Sequence, residues 1–354
     1  MLALRPGARL QLAMSPPQWC VEKTTVDGFA MVVELRPDFS DGVPVAADAG
    51  RIVANPDVIS EPLHLALLDV PAVLGATSND PTLLLAASCE SGWQRQLVTI
   101  SFGGQSITVQ PARAKSILGL AEGVLPPGGT DLFDETSSVV VALVGENQWL
   151  VSCDDEALAA GENLAVLGGE LIQFGSALPL GSGRFQLSRL LRGRGGTEWA
   201  CASHTIDEQF CMTKAGTLQQ VVLPSWAVGA PVAASTEDGS AATITFLGEN
   251  IRPPAPVNLA AVRLNNGDLV LSWTRRSRQG FAWVDGIDAP LGEGNEQYRV
   301  TLSGVSGAIE LLVAETYSTI AAADIGALGA GELTIEVRQV GDVAASRPAQ
   351  LKLS

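Results

Sequence analysis

Apolar runs of strand length alternate with turns along most of this chain, and several carry the period of two that gives a strand one buried and one wet face. Strands are predicted at 29–35, 97–102, 106–109 and 138–144, and the alternation is clean at 333–337 and 349–353. Asp27-Gly28 precedes the first run and Gly103-Gly104 separates the second from the third, as in tight hairpins. Further strands are predicted at 10–13, 19–21, 149–151, 163–167, 170–174, 217–224, 242–246, 269–273 and 298–302. The unbroken apolar run Leu83-Leu84-Leu85-Ala86-Ala87 predicts a strand that is buried outright. A short helix is predicted at 154–160, where Asp154, Asp155 and Glu156 gather at the N-terminal end and Gly161 stops the turn. The fold class that follows is all-β, built from barrel or sandwich domains.

Two stretches interrupt the pattern. Residues 38–55 are polar and rich in glycine, alanine and proline, and read as a linker or long loop. Residues 249–256 contain Pro253, Pro254 and Pro256, each fixing φ and lacking a backbone donor, so a stiff extended connector is predicted there. These breaks divide the chain into a β segment at 1–55, a β-rich domain at 56–250 and a further β domain at 251–354.

Composition narrows the function classes. The 354 residues are 46% hydrophobic and 17% charged, with 37 glycines and 20 prolines, a profile of compact β structure with many turns. The formal net charge of −16 argues against general nucleic-acid binding, because phosphates meet a repulsive surface. No apolar run is long enough to cross a bilayer, and the first residues lack a basic flank before an apolar core, so synthesis and assembly in the cytosol are expected. Five cysteines, Cys20, Cys89, Cys153, Cys201 and Cys211, are odd in number and mostly far apart, which suits reduced core residues better than a disulfide framework.

The most distinctive run is 185–199. It begins with strand alternation at Phe185 and Leu187 and ends in a turn where Gly193, Gly195 and Gly196 are interleaved with Arg192 and Arg194. One reading is a structural clasp in which Arg192 or Arg194 ties the turn to Glu198 and to backbone carbonyls. The other is a phosphate cradle, which is rejected: a P-loop needs Lys and then Ser or Thr after its last glycine, Gly196-Thr197-Glu198 stands here instead, and Glu198 would repel a phosphate. Arg275, Arg276 and Arg278, with Phe281 and Trp283 nearby, form a basic patch in an acidic chain. Docking of a partner is the first expectation for Arg275, Arg276, Arg278 and Trp283, ion pairing with Glu293 or Glu296 the second, and DNA a distant third. Cys201, His204 and Cys211 give too few local ligands for structural zinc, so buried thiols and an exposed His204 are expected, with no metal and no cofactor. With His64 and His204 the sole histidines and no nucleophile elbow, no catalytic residue is assigned.

The run Leu187-Ser188-Arg189-Leu190-Leu191-Arg192-Gly193-Arg194, followed by Gly196-Thr197-Glu198, resembles a segment of the large tail-tip hub proteins of gene transfer agents and related siphophages. Glu170, Gln173 and Phe174 just ahead of it, the early Arg5-Pro6-Gly7 with Trp19, and the Arg275-to-Glu293 stretch extend the resemblance over most of the chain. Gly195 departs from the bulkier residue expected there and implies a looser turn. In such proteins the segment at 1–55 resembles the close of a hub β-domain, which makes Met1 the start of a split gene or of a naturally short version. Residues 269–273 and 298–302 resemble the second and third strands of a fibronectin type III sandwich, with Trp273 in its core and Tyr298 beside it.

The resemblance implies a virion tail-tip or baseplate component without enzymatic activity. It implies a homo-oligomer, expected to be a trimer, that contacts other tail proteins and the host surface and binds no specific nucleic acid. The family's hydrolase barrel lies in a region this chain does not contain. Arg189, Arg192, Gly193, Arg194, Gly196, Thr197 and Glu198 are then expected to lock the hub domain. The alternative is a receptor- or carbohydrate-binding tip protein acting directly in host recognition.

Overall fold

The computed structural model describes residues 4–13, 18–38, 61–73, 79–280 and 289–354. The chain forms two compact units, Met1–Val58 and Ile59–Ser354. In the first, β1 (Arg9–Gln11), β2 (Gln18–Asp27) and β3 (Ala30–Pro37) make one antiparallel sheet in that order. The β2–β3 hairpin closes at Gly28, whose φ of 60° is the left-handed geometry a two-residue hairpin turn requires. Most of the expected linker at 38–55 lies outside the described residues.

The second unit continues with β4 (His64–Leu68), β5 (Thr82–Ser88), β6 (Val98–Phe102), β7 (Gln105–Val109), β8 (Leu118–Ala121) and β9 (Asp134–Leu143). A helix, α1 (Asp155–Ala159), follows, capped by the Asp154 carboxylate, which accepts from the Ala157 N–H at 2.9 Å. Then come β10 (Leu164–Leu167), β11 (Glu170–Gly181), β12 (Arg184–Leu191), β13 (Gln209–Met212), β14 (Leu218–Val222), β15 (Pro231–Ser235) and β16 (Ala241–Thr245). Strands β10-β11-β12-β9-β8-β13 close into a six-stranded barrel. The sheets β14-β5-β4 and β16-β15-β6-β7 share a core that includes Leu85, Ile100, Phe102, Val232 and Phe246. The region expected as one domain at 56–250 is therefore a barrel inserted between two parts of a sandwich.

This arrangement explains why β5 reads as a continuous apolar run. Leu83, Leu85 and Ala87 face the sandwich core, while Leu84 and Ala86 pack with Leu118, Val166, Leu171 and Cys211 from the outer wall of the barrel. With both faces dry there is no wet face to alternate toward. Residues 149–151 form no strand, contrary to expectation. A closed barrel offers no free edge to join, so Trp149 instead sets its ring edge-on to Phe185 at 5.0 Å, with more than half of its surface left exposed.

Beyond the connector, β17 (Val257–Arg263), β18 (Leu269–Thr274), β19 (Tyr298–Gly304), β20 (Gly307–Val313) and β21 (Tyr317–Ile320) are followed by a short helix α2 (Ala322–Ala327), β22 (Leu333–Gln339) and β23 (Ala349–Leu353). They form the three-strand sheet β17-β18-β21 and the four-strand sheet β20-β19-β22-β23, the division of a fibronectin type III sandwich. Trp273 and Tyr298 meet in its core, with ring centroids 5.2 Å apart and planes at 67°. The molecule is all-β apart from these small helices and a few helical turns, and no described helix is long and apolar enough to cross a membrane.

Candidate functional site

The site grows out of a one-residue slip in β12. Phe185 and Leu187 point into the barrel, and continuing that period would turn Leu191 inward. A bulge between Ser188 and Leu190 puts Arg189 at φ 56°, and the phase shifts by one. Leu190 and Arg192 now point inward. Arg189 is left at the rim, where it stacks over Phe133 at 4.5 Å and pairs with Glu135 at 3.3 Å and Asp155 at 2.5 Å.

Arg192 thereby becomes a buried cation at one end of the barrel, its side chain entirely without solvent contact. A lone charge there would be prohibitively costly, and the ends of neighbouring strands supply its partners. Glu170, the first residue of β11, accepts from Arg192 Nε at 2.9 Å and Nη2 at 2.9 Å. Asp134, the first of β9, lies 3.3 Å from Nη1. The carbonyls of Pro126 and Cys201 accept the remaining bonds at 3.0 and 3.2 Å. On the far side of Glu170, His204 Nε2 lies 2.6 Å from the carboxylate, and its Nδ1 lies 2.6 Å from Glu208. Asp134, Arg192, Glu170, His204 and Glu208 thus form a chain whose charges alternate when His204 is protonated.

The titration behaviour follows from that alternation. Burial works to raise the Glu170 carboxyl, but bonds from His204, Arg192 and the Gly193 N–H at 2.6 Å outweigh it and hold the group at about 2. For Asp134 burial is again outweighed, here by donors from Ser137 and Thr136, and it too lies at about 2. His204 is raised: burial opposes its charge, yet bonds to Glu170 and Glu208 and their negative charges prevail. Cys201 donates its thiol to Glu170 at 3.2 Å, and burial beside that carboxylate pushes it up to about 12. Such a thiol is no nucleophile at neutral pH.

The predicted motif residues occupy this site in a different pairing from the expected one. Arg192 clasps Glu170 and Asp134, not Glu198, and Arg194 is exposed and forms no ion pair among the described residues. Gly193 has φ 61°, and a Cβ there would lie 2.7 Å from the Glu198 side chain. Thr197 ties the turn shut, donating to the Arg194 carbonyl at 2.8 Å and accepting from the Leu171 N–H at 2.9 Å. Gly195 does not loosen the turn, since its α-carbon sits close enough to Leu171 that a Cβ would approach to 3.1 Å.

Glu198 reaches out of the barrel to the fibronectin-like module. Arg276 grips it fork to fork, with Nη1 to Oε1 at 2.5 Å and Nη2 to Oε2 at 3.1 Å, and donates Nε to the Ala255 carbonyl at 2.7 Å. Gly196 lets the connector approach: a Cβ would stand 3.1 Å from Pro254. Arg347 of the module lies 3.5 Å over the Trp199 ring and bonds Glu249 at 2.6 Å.

The arginines of the basic patch are engaged within the chain. Arg276 joins module to barrel. Arg278 pairs with Glu293 at 2.7 Å, and Arg275 bonds the Ala289 carbonyl at 2.7 Å with Glu296 at 3.7 Å, which is the ion-pairing reading. Trp283 and Phe281 lie outside the described residues. His204 is buried rather than exposed, while His64 is exposed at the start of β4. Among the described residues no group of three or more His, Cys, Asp and Glu side chains is disposed to hold a metal.

Glu170, Asp134, His204 and Glu208 carry roles in this site that their neighbours in sequence do not announce. The available signal was Glu170 itself, an acid opening the apolar strand Glu170-Leu171-Ile172, which demands a buried cation.

Comparison with known proteins adds one family and a set of folds. The family described as "Rcc01698-like, C-terminal" matches residues 116–211, which are those of the barrel. No curated protein matches the chain. Among solved structures, a two-domain fibronectin type III segment of chicken tenascin is similar at 11% identity, covering 83% of this chain and 98% of that one, with a TM-score of 0.24. The FN1–FN3 domains of chicken CNTN1 are similar at 11% identity, covering 83% of this chain and 99% of that one, with a TM-score of 0.20.

Proposed function

We propose that this protein is a non-enzymatic structural component of a phage or gene-transfer-agent tail tip, a hub or baseplate piece that acts in assembly and host attachment. The observation that carries the reading is the fate of the Arg/Gly motif. Its one buried guanidinium is consumed in closing a barrel end, and the carboxylate that follows it fastens a second domain. Such chemistry holds shape under load and leaves no activated nucleophile beside it. The resemblance of this motif to tail-tip hub proteins supports the reading, and the family match over the same barrel is compatible with a structural protein.

On this reading the chain assembles as a homotrimer around the tail axis, with other tail proteins as partners and the virion tail tip as its location. Cryo-electron microscopy of the intact particle tests it. Density for the barrel and sandwich arranged in three copies at the tail tip is the expected result. Particles whose tails lack the chain, or a native mass corresponding to a monomer at particle concentrations, would refute it. The rival, direct host recognition, predicts saturable binding of the isolated chain to host envelopes, where the structural reading expects little.

A further inference from the structure

Between the motif turn, the connector and the fibronectin-like module lies a cleft of about 550 Å³. It is bordered by six arginines and two glutamates. Arg192 is paired with Glu170 and Asp134, Arg278 with Glu293, Arg276 with Glu198 and Arg347 with Glu249, so the positive charge left over there is that of Arg194 and Arg252, in a chain whose net charge is −16. The six arginines come from four separate parts of the sequence. Glu198 and Glu249 are already neutralised by Arg276 and Arg347, so neither repels an incoming anion as the sequence alone suggests.

What remains unfilled defines the ligand. Arg194 projects at the rim with its whole guanidinium unpaired among the described residues. Arg252 spends Nε on the Leu247 carbonyl and Nη1 on the Ala345 carbonyl, leaving Nη2, and Arg347 spends Nε and Nη2 on Glu249, leaving Nη1. These donors sit on three different arginines, so a ligand that satisfies them carries more than one anionic group. The Gly193 N–H, a natural seat for a phosphate oxygen, is already given to Glu170. Planar guanidinium edges are left, and a carboxylate matches them as Glu198 matches Arg276.

We infer that this cleft binds a ligand presenting two or more carboxylates, either a small free polycarboxylate or the side chains of an acidic peptide segment. The inference rests on the cleft alone and stands apart from the tail-tip reading. It is tested with the full chain by titration calorimetry at low salt, using citrate, a capped tri-glutamate peptide and inorganic phosphate as separate probes. Saturable binding of citrate or of the peptide is expected, the tighter of the two identifying the source. Arg194→Gln, an exposed change, should weaken it about tenfold, the size of one charge-assisted pair. Arg263→Gln, an exposed arginine on β17 away from the cleft, should leave it unchanged. Binding of neither carboxylate probe, phosphate binding as tightly as both, or equal effects of the two substitutions would overturn the assignment.

Discussion

Replacing Arg192 by methionine tests the buried charge chain most directly. The change keeps much of the side-chain volume but strands Glu170, which has no solvent exposure and would retain His204 and the Gly193 N–H as its main donors. Asp134 loses its cation while keeping its Thr136 and Ser137 donors. Removing one partner of a buried ion pair costs about 3–5 kcal/mol, whereas an exposed pair is worth at most about 1 kcal/mol. Because the unit holds a barrel and two sandwiches, a global unfolding midpoint would blur the effect. Hydrogen exchange of β11 and β12 amides reads it locally, and at about 1.4 kcal/mol per decade their protection should fall by about two to three and a half orders of magnitude. The double variant Arg192→Met/Glu170→Met should recover part of that loss, since paired apolar residues can replace a buried ion pair. Protection falling less than about tenfold in the single variant, or no recovery in the double one, would refute the claim that this chain closes the barrel end.

Three further outcomes follow from the same geometry. Glu170 and Asp134 sit at about 2 in the folded state, below their ordinary 4.5 and 3.8, so their contribution is present above those ordinary values and is lost as pH falls toward 2. His204 is raised above 6.5, so its contribution is present below that value and is lost as pH rises through its folded pKa; the protection of barrel amides relative to their intrinsic exchange rate should therefore fall at both ends of the pH range. Gly128→Ala would drive its methyl into the Asp134 carboxylate and to 2.9 Å from Arg192 Nη1, an overpacking expected to cost about 1–3 kcal/mol and to lower the melting temperature of the barrel. Glu198→Gln weakens a partly buried pair between barrel and module by about 1 kcal/mol, which should appear as faster proteolysis of the connector with barrel exchange unchanged.

Local chemistry was legible wherever a residue's neighbours in sequence set its environment. The Gly103-Gly104 hairpin, the Asp154 cap and the core pair of Trp273 and Tyr298 are all readable from residue type and spacing. The five-residue apolar run of β5 announced burial, though not that its two faces belong to different cores.

What the tertiary structure decided was the pairing of charges. From the sequence, Glu198 is the nearest acid to Arg192 and Arg194, and closeness along the chain made it the natural partner. The bulge at Arg189 turns Arg192 into the barrel, where partners are set by which strand ends share a rim, so Glu170 at 22 residues and Asp134 at 58 residues of separation win over Glu198. Glu198 is freed for Arg276, 78 residues away. Hydrophobic periodicity is a one-dimensional signal and survives in the sequence, but a buried ion pair is a relation between distant strand ends, fixed only once the barrel has closed.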